Sequence, residues 1–375
     1  MKVLIVATTS YAGMGPYVSE IVNTFLPEDE VYYLFRESSD DFFKKNIKQE
    51  LVKHCYFCKE NQSIFKRIIS LIYNTRGGFS KKVIDFCLNN GIEVVHFING
   101  SLNNYLLKAL KAKNICILNT VHDLHPHEMK KAFWKEWRSN ILMKRVLYGV
   151  KNCNYLTTNS RLQYNELKKC FPEKNISFHE FPSLVTERIA NGRKSISELK
   201  SCNKPYILFF GRIEAYKGIN FLYNSYVNSK DLYDNYALVI AGSGELGFDI
   251  KTSNKDIYII NRYIDDEEVS ELYKNAKAVV YPYISATQSG VLSLAFYFHK
   301  PVLTSDIQYF KSIVEEYGVG MTFKTQDSGD LRKQLLNMLK SDVKDMIKRQ
   351  SEYYFTYYSN EAIREQLLKI YQDVK

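Results

Sequence analysis

Short apolar runs that lead into polar or glycine-bearing turns, each followed by a helical stretch, recur along this chain and restart once past residue 204. In the first part, residues 3–7, 31–35, 94–98, 115–120 and 155–158 read as strands, and residues 16–25 and 102–111 as helices, with a further helix starting near Ser160. The first of these helices opens on a proline, whose missing N–H costs nothing there. The first strand is a short continuous apolar run, as a strand buried on both faces of a parallel sheet requires. Residues 188–204 interrupt the rhythm with a polar stretch rich in Ser, Lys and Asn. Strands then return at 206–210, 236–241, 257–260, 278–281 and 301–304, with helices at 267–274 and 290–298. Strand, helix, strand at this pitch predicts an α/β chain with two doubly wound, Rossmann-like domains. The expected division is a first domain over 1–187, a linker over 188–204, a second domain over 205–355 and a C-terminal helix over 356–375 packing back toward the first domain.

A length of 375 residues is too long for one ordinary domain and suits two. With 45% hydrophobic and 25% charged residues, the chain is too apolar to be disordered. Its net charge of +10 favours anionic partners: nucleic acid, anionic lipid or phosphorylated small molecules. No paired zinc-finger spacing, no aromatic-glycine single-strand signature and no basic region feeding a leucine heptad occurs, so no nucleic-acid partner is expected. Seven cysteines, an odd number, fit a reducing compartment, hence a cytoplasmic protein. Cys55 and Cys58 with His54 are too few ligands for a zinc site, and no metal is expected. The N-terminal apolar run stops at Ala7 and reads as a buried strand rather than a signal peptide. No stretch approaches the roughly eighteen apolar residues of a spanning helix, so membrane contact would be peripheral.

Four segments could carry chemistry. Gly13 and Gly15 lie between the first strand and first helix, where glycines allow close ligand approach or simply a tight turn; the third glycine of a dinucleotide fingerprint is replaced by Val18. His122 and Asp123, with His125 and His127, follow a strand's C-terminal end, where open α/β sheets place ligands. Their spacing suits hydrogen bonds to hydroxyls or phosphates better than a metal cage. Gly211, Arg212 and Lys217 also start at a strand end: the glycine admits a ligand, the guanidinium can fork onto phosphate oxygens, and the lysine adds a point charge. Thr287, Gln288, Ser289, Gly290 and Val291 open an apolar helix, where backbone N–H groups and hydroxyls form either an anion cradle or a plain cap.

These segments together resemble the retaining glycosyltransferases of family 4, over essentially the whole chain. The strand-end Gly-Arg and following lysine of that family match Gly211, Arg212 and Lys217. Its AGxG matches Ala241, Gly242, Ser243 and Gly244; its tyrosine-alanine-proline segment matches Tyr273, Ala276 and Pro282, with Tyr283 in place of serine. Pro301 and Val302 match the pair after its last active-site helix, and Gly13, Gly15, His122 and Asp123 match the first half. The family's two glutamates would fall at Ala286 and Leu294, and neither is acidic. In this it is similar to a variant among bacterial surface-polysaccharide transferases. The resemblance implies two domains facing a central cleft and a nucleotide-diphosphate sugar as donor. It also implies a saccharide acceptor linked to polyprenyl diphosphate, with no permanently bound cofactor and no metal requirement. Arg212 and Lys217 would stabilise the leaving diphosphate, and His122 would contact the transferring sugar. Gly13, Gly15, Asp123, Gly211, Gly242 and residues 287–291 would bind substrate. A sugar-nucleotide epimerase or phosphorylase of the same architecture, and a non-catalytic nucleotide-sugar-binding module, are the competing readings.

Residues 129–151 carry Lys130, Lys131, Lys135, Arg138, Lys144, Arg145 and Lys151 against one acid, Glu136, and include Phe133, Trp134 and Trp137. Residues 64–73 repeat the basic, apolar character. Such segments form either the wet face of a core helix or a contact with an anionic membrane surface. A lipid-linked acceptor favours the second and predicts peripheral attachment to the inner face of the cell membrane.

Overall fold

The computed structural model describes residues 1–10, 14–36, 42–58, 78–99, 102–122, 124, 144, 146–249, 256–286 and 288–374. The chain divides into two compact units, one of Met1–Pro182 with Asn360–Lys375, the other of Ser183–Ser359.

In the first unit the described residues form a seven-stranded, wholly parallel sheet. Its strands are β1 (Val3–Ala7), β2 (Val31–Arg36), β3 (Cys55–Cys58), β4 (Val94–Phe97), β5 (Cys116–Thr120), β6 (Tyr155–Thr158) and β7 (Asn175–Phe178), in the order β3-β2-β1-β4-β5-β6-β7. Parallel strands need crossovers, and the crossover helices cover both faces. Successive residues of β1 therefore feed opposite apolar layers. Val3, Ile5 and Ala7 join Tyr17, Ile21 and Phe25, while Leu4 and Val6 join Val83, Leu106 and Leu110. The C-terminal helix Asn360–Asp373 adds Ile363, Leu367, Ile370 and Tyr371 to the first layer. Tyr371 stacks on Phe25 at 6.2 Å, and Arg364 pairs with Asp29 through both guanidinium arms. His96, on β4, is a satisfied core histidine: Nδ1 meets the Tyr371 hydroxyl at 2.9 Å and Nε2 the Thr120 hydroxyl at 2.7 Å.

The second unit repeats the architecture. Strands β8 (Tyr206–Phe210), β9 (Ala237–Gly242), β10 (Ile257–Asn261), β11 (Ala276–Tyr281), β12 (Val302–Ser305) and β13 (Met321–Phe323) form a parallel sheet in the order β10-β9-β8-β11-β12-β13. The polar stretch before β8 folds onto this unit. Thr186 caps the short helix Glu187–Ala190, the Lys194 N–H donates to the Glu267 carbonyl at 3.1 Å, and Arg262 bridges Glu198 and Glu268.

Three strands have no counterpart in the sequence reading: β3, β7 and β13. All three lie at a sheet edge. An edge strand is covered less completely than a central one, so its residues need not form a continuous apolar run. In β7 the sequence Asn-Ile-Ser-Phe buries only Ile176 fully.

Leu367 is fully buried against the sheet of the first unit although it lies near the chain's end. Leu367→Ala is expected to cost about 3 kcal/mol. Urea unfolding followed by circular dichroism checks this; an unchanged midpoint would take the helix off that face.

Candidate functional site

In the second unit the strand order reverses between β8 and β11. The crevice beyond the strands' carboxyl ends at such a point is where open α/β sheets bind ligands. Three strand-end turns are pressed together there. Ile213, after β8, donates to the Ser243 carbonyl at 2.9 Å, and Ile284, after β11, donates to the Tyr216 carbonyl at 2.7 Å. Gly242 has a φ of 146°, and a Cβ there would stand 1.8 Å from the Gly211 carbonyl oxygen. Gly218, with a φ of 64°, ends the single turn Ala215–Lys217, and its Cβ would stand 2.0 Å from the Pro282 carbonyl oxygen. Glycine at 242 is thus required by backbone packing, whereas Gly211 leaves open room. The nearest atom to a Cβ at 211 would be the Tyr283 hydroxyl, 3.9 Å away.

The turn after β8 aims Lys217 into this place. Lys217 is 9% exposed, and its ammonium sits 3.7 Å from the centre of the Tyr283 ring and 4.8 Å from that of Tyr216. Burial, reinforced by the neighbouring Arg212 charge and opposed by Glu214, pushes its pKa down to about 7. Arg212 is half exposed and pairs with Glu214 at 2.9 Å. The structure therefore brings together Gly211, Arg212 and Lys217, and adds Tyr283, Tyr216 and Glu214, which sequence reasoning did not place in the site. The departure of Tyr283 from the serine of the resembled pattern was the available signal.

The segment before the helix Val291–Tyr297 is tied down by hydrogen bonds. The Tyr309 hydroxyl donates to the Ser289 carbonyl at 2.7 Å, Ser293 to the Gly290 carbonyl at 2.6 Å, and Tyr281 to the Val291 carbonyl at 3.0 Å. Gly290 has ordinary helical backbone angles. The Gln288 Oε1 is buried without a hydrogen-bond partner, so an unused acceptor faces inward here. Leu294 is 1% exposed, a core position where an unpaired carboxylate would be costly. Thr287 lies outside the described residues.

In the first unit the strand order reverses between β1 and β4. Asn99, after β4, accepts from the Thr8 N–H at 2.7 Å and donates to the Thr9 carbonyl at 3.0 Å, joining the two strand ends. His122, after β5, has its Nε2 2.6 Å from the Ile98 carbonyl oxygen. A carbonyl only accepts, so Nε2 carries the proton and Nδ1 keeps a lone pair. That Nδ1 is buried and has no hydrogen-bond partner. Burial holds the imidazole neutral, its pKa down at about 4. Tyr17 meets the His122 ring edge-on at 5.0 Å, and its hydroxyl lies 3.5 Å from His179 Nε2. Gly15 is a packing position: its Cβ would stand 2.8 Å from the Ser10 carbonyl oxygen. Gly13, Asp123 and the basic segments at 64–73 and 125–143 lie outside the described residues. Among the described residues, no group of three or more His, Cys, Asp or Glu could hold a metal ion, and no helix is long and apolar enough to cross a membrane.

Residues 193–354 match the family model for glycosyl transferases group 1, which spans the Gly211, Arg212 and Lys217 turn. The whole chain also superposes on solved structures. A glycosyltransferase from Rickettsia africae ESF-5 gives a TM-score of 0.72 at 15% identity, covering 100% of this chain and 98% of that one. Sucrose-phosphate synthase from Thermosynechococcus elongatus gives 0.69 at 15% identity, covering 100% and 99%. Alr3699/HepE from Anabaena, in complex with UDP, gives 0.68 at 12% identity, covering 100% of both. No curated protein matches the sequence. The chain is a glycosyltransferase-type enzyme of the GT-B fold. Its two Rossmann-like units are the two domains of that fold, and the family match falls on the unit that buries Lys217.

A lysine whose folded pKa lies below its unfolded value of 10.5 binds fewer protons in the native state between about pH 7 and 10.5. Stability contributed by this group therefore rises with pH across that window, and the full cost of the buried charge is present below it. Lys217→Met is expected to be more stable than the natural protein at pH 6 by a few kcal/mol, on the order of a buried-charge penalty. The gap should narrow toward pH 10. Thermal melts of both proteins at pH 6, 8 and 10 check this; a constant gap would mean that Lys217 does not titrate in that range.

Proposed function

We propose that this enzyme transfers a glycosyl group, with retention of configuration, from a nucleoside-diphosphate sugar to a hydroxyl of a saccharide acceptor. The observation that carries this reading is the gathering of two cations, Lys217 and Arg212, beside the open Gly211 turn, at the switch point of the unit that matches the family model. The UDP bound to the Anabaena protein of the same fold supports a nucleoside diphosphate as the ligand. In the proposed reaction the bond from the anomeric carbon to the diphosphate oxygen breaks, and its electron pair leaves with the diphosphate. Lys217 and Arg212 neutralise that developing charge from a preorganised position. The acceptor hydroxyl attacks on the same face, and its proton passes to the leaving phosphate oxygen. His122 suits a sugar hydroxyl: its Nδ1 lone pair is unoccupied and its Nε2 proton is committed to Ile98.

The acceptor we propose is lipid-linked through polyprenyl diphosphate, in the synthesis of a surface polysaccharide at the inner face of the membrane. The basic, tryptophan-bearing segment at 129–151 supports it, since each Lys or Arg near an anionic bilayer contributes about 1 kcal/mol of attraction.

Arg212→Ala and Lys217→Ala are each expected to slow turnover about a hundredfold to a thousandfold, by analogy with the loss of one oxyanion donor, while the fold persists. Steady-state rates beside melting curves test this, and near-normal rates in both variants would overturn the assignment. Separately, the natural protein should co-sediment with anionic but not neutral vesicles at low salt. Replacing Lys130, Lys131, Lys135 and Arg138 by Gln should abolish that preference and leave activity on a soluble acceptor intact. A natural protein that never sediments would leave the segment as a solvated face.

A further inference from the structure

Lys217 is a buried cation whose close neighbours are rings. The charged groups that face it are Arg212, which repels it, and Glu214, which attracts it but is itself paired with Arg212 at 2.9 Å. Tyr216 and Tyr283 also face it, both held as neutral phenols: burial pushes Tyr216 up to about 12 and raises Tyr283 likewise. Glu214 being engaged by Arg212, the ammonium lies over the face of Tyr283, 3.7 Å from the ring centre, well inside the roughly 6 Å over which an aromatic quadrupole holds a cation.

That ring is built to stay where it is. Tyr283 is fully buried. Phe310 packs at 5.2 Å and Tyr281 stands edge-on at 6.0 Å. The Ser305 hydroxyl, at the end of β12, donates to the Tyr283 carbonyl at 2.5 Å, tying the turn after β11 to the neighbouring strand. The same turn is held to the Lys217 turn by the Ile284 to Tyr216 hydrogen bond and by Gly218 against the Pro282 carbonyl. The Tyr283 hydroxyl, in turn, is the nearest group to the open side of Gly211.

The geometry points to Tyr283 as the positioning residue for Lys217: its fixed ring holds the ammonium in place by a cation–π contact and sets the upper pH limit for diphosphate binding at this site. This rests on the reading of Lys217 as a phosphate-binding group. The ring offsets part of the desolvation that drives Lys217 toward its neutral form, and only the charged form serves a diphosphate. A flat, electron-rich face does this without the competing negative charge that a carboxylate partner would set against the phosphate.

The experiment is calorimetric titration with UDP from pH 6 to 9. For the natural protein, affinity should fall as Lys217 loses its proton. Tyr283→Leu should move the midpoint of that fall down by about one pH unit, the size of a desolvated cation–π contact expressed as a pKa change. At pH 6 its affinity should stay within about threefold of natural, and near pH 7.5 it should drop about fivefold to tenfold, following that one-unit displacement. Tyr283→Phe keeps the ring and should keep the midpoint. If the leucine variant fails to fold, 3,4,5-trifluorophenylalanine at position 283 retains the shape while depleting the ring face, and should shift the midpoint as leucine does. Lys217→Ala should remove the pH step altogether. If Lys217→Ala removes the step but the leucine and trifluorophenylalanine proteins keep the natural midpoint, Tyr283 merely fills space and the inference fails alone. If Lys217→Ala binds UDP with an unchanged step, the phosphate role of Lys217 fails and the role of Tyr283 falls with it.

Discussion

Backbone pressed against backbone at the carboxyl ends of β8, β9 and β11 is the constraint on which the placement of Gly211, Lys217 and Tyr283 depends. A Cβ at Gly242 or Gly218 would overlap a carbonyl oxygen of a neighbouring turn, and both residues hold positive φ angles. Because these approaches leave no slack, the turns bearing Gly211, Lys217 and Tyr283 sit in one arrangement. Preorganisation of this kind lets charged donors act on a developing negative charge without first moving into place. Gly211 shares the positive φ, at 142°, but its side opens toward the tip of Tyr283 instead of toward a carbonyl.

Burial then sets the electrostatics of both units in the same sense, lowering the pKa of a base in each. In the second unit an ammonium is forced into a ring-lined setting, where losing hydration lowers its pKa into the neutral range. In the first, burial fixes His122 as a neutral imidazole with a chosen tautomer, because Ile98 offers only an acceptor. One unit holds a buried amine beside the open side of a glycine turn, the other a buried imidazole with an unused lone pair. The absence of acids at 286 and 294 fits this arrangement. Leu294 is packed into the core, and inserting a carboxylate there would bury a charge without a partner.

The central strands and crossover helices were legible in the chain because strands buried on both faces are mostly apolar, with an occasional hydrogen-bonded polar residue such as His96. Residues 206–210, Tyr-Ile-Leu-Phe-Phe, could scarcely be anything else. The edge strands β3, β7 and β13 were not legible: β7 alternates polar and apolar residues, as an edge allows, and β3 and β13 run for only four and three residues. Gly211, Arg212 and Lys217 were readable as a group because a strand end, a glycine and two cations coincide in five to seven positions of sequence. Tyr283 showed only as a departure from the serine of the resembled pattern, and Tyr216 not at all, because an aromatic residue beside a cation looks no different in sequence from one that fills a core.

The sequence by itself determined that there are two doubly wound units, where most of their central strands end, and that cations gather at one of those ends. Local pattern suffices for this, since periodicity and turn residues act over a few neighbours. Only the tertiary structure decided which side chains of the C-terminal helix Asn360–Asp373 enter the core of the first unit, and that Lys217 is buried against the ring of Tyr283. Those facts depend on residues 66 positions apart for Lys217 and Tyr283, and on Tyr371 reaching His96 across almost the whole chain. Contacts at such separations are set by how layers of sheet and helix fill space, which no local run of residues encodes.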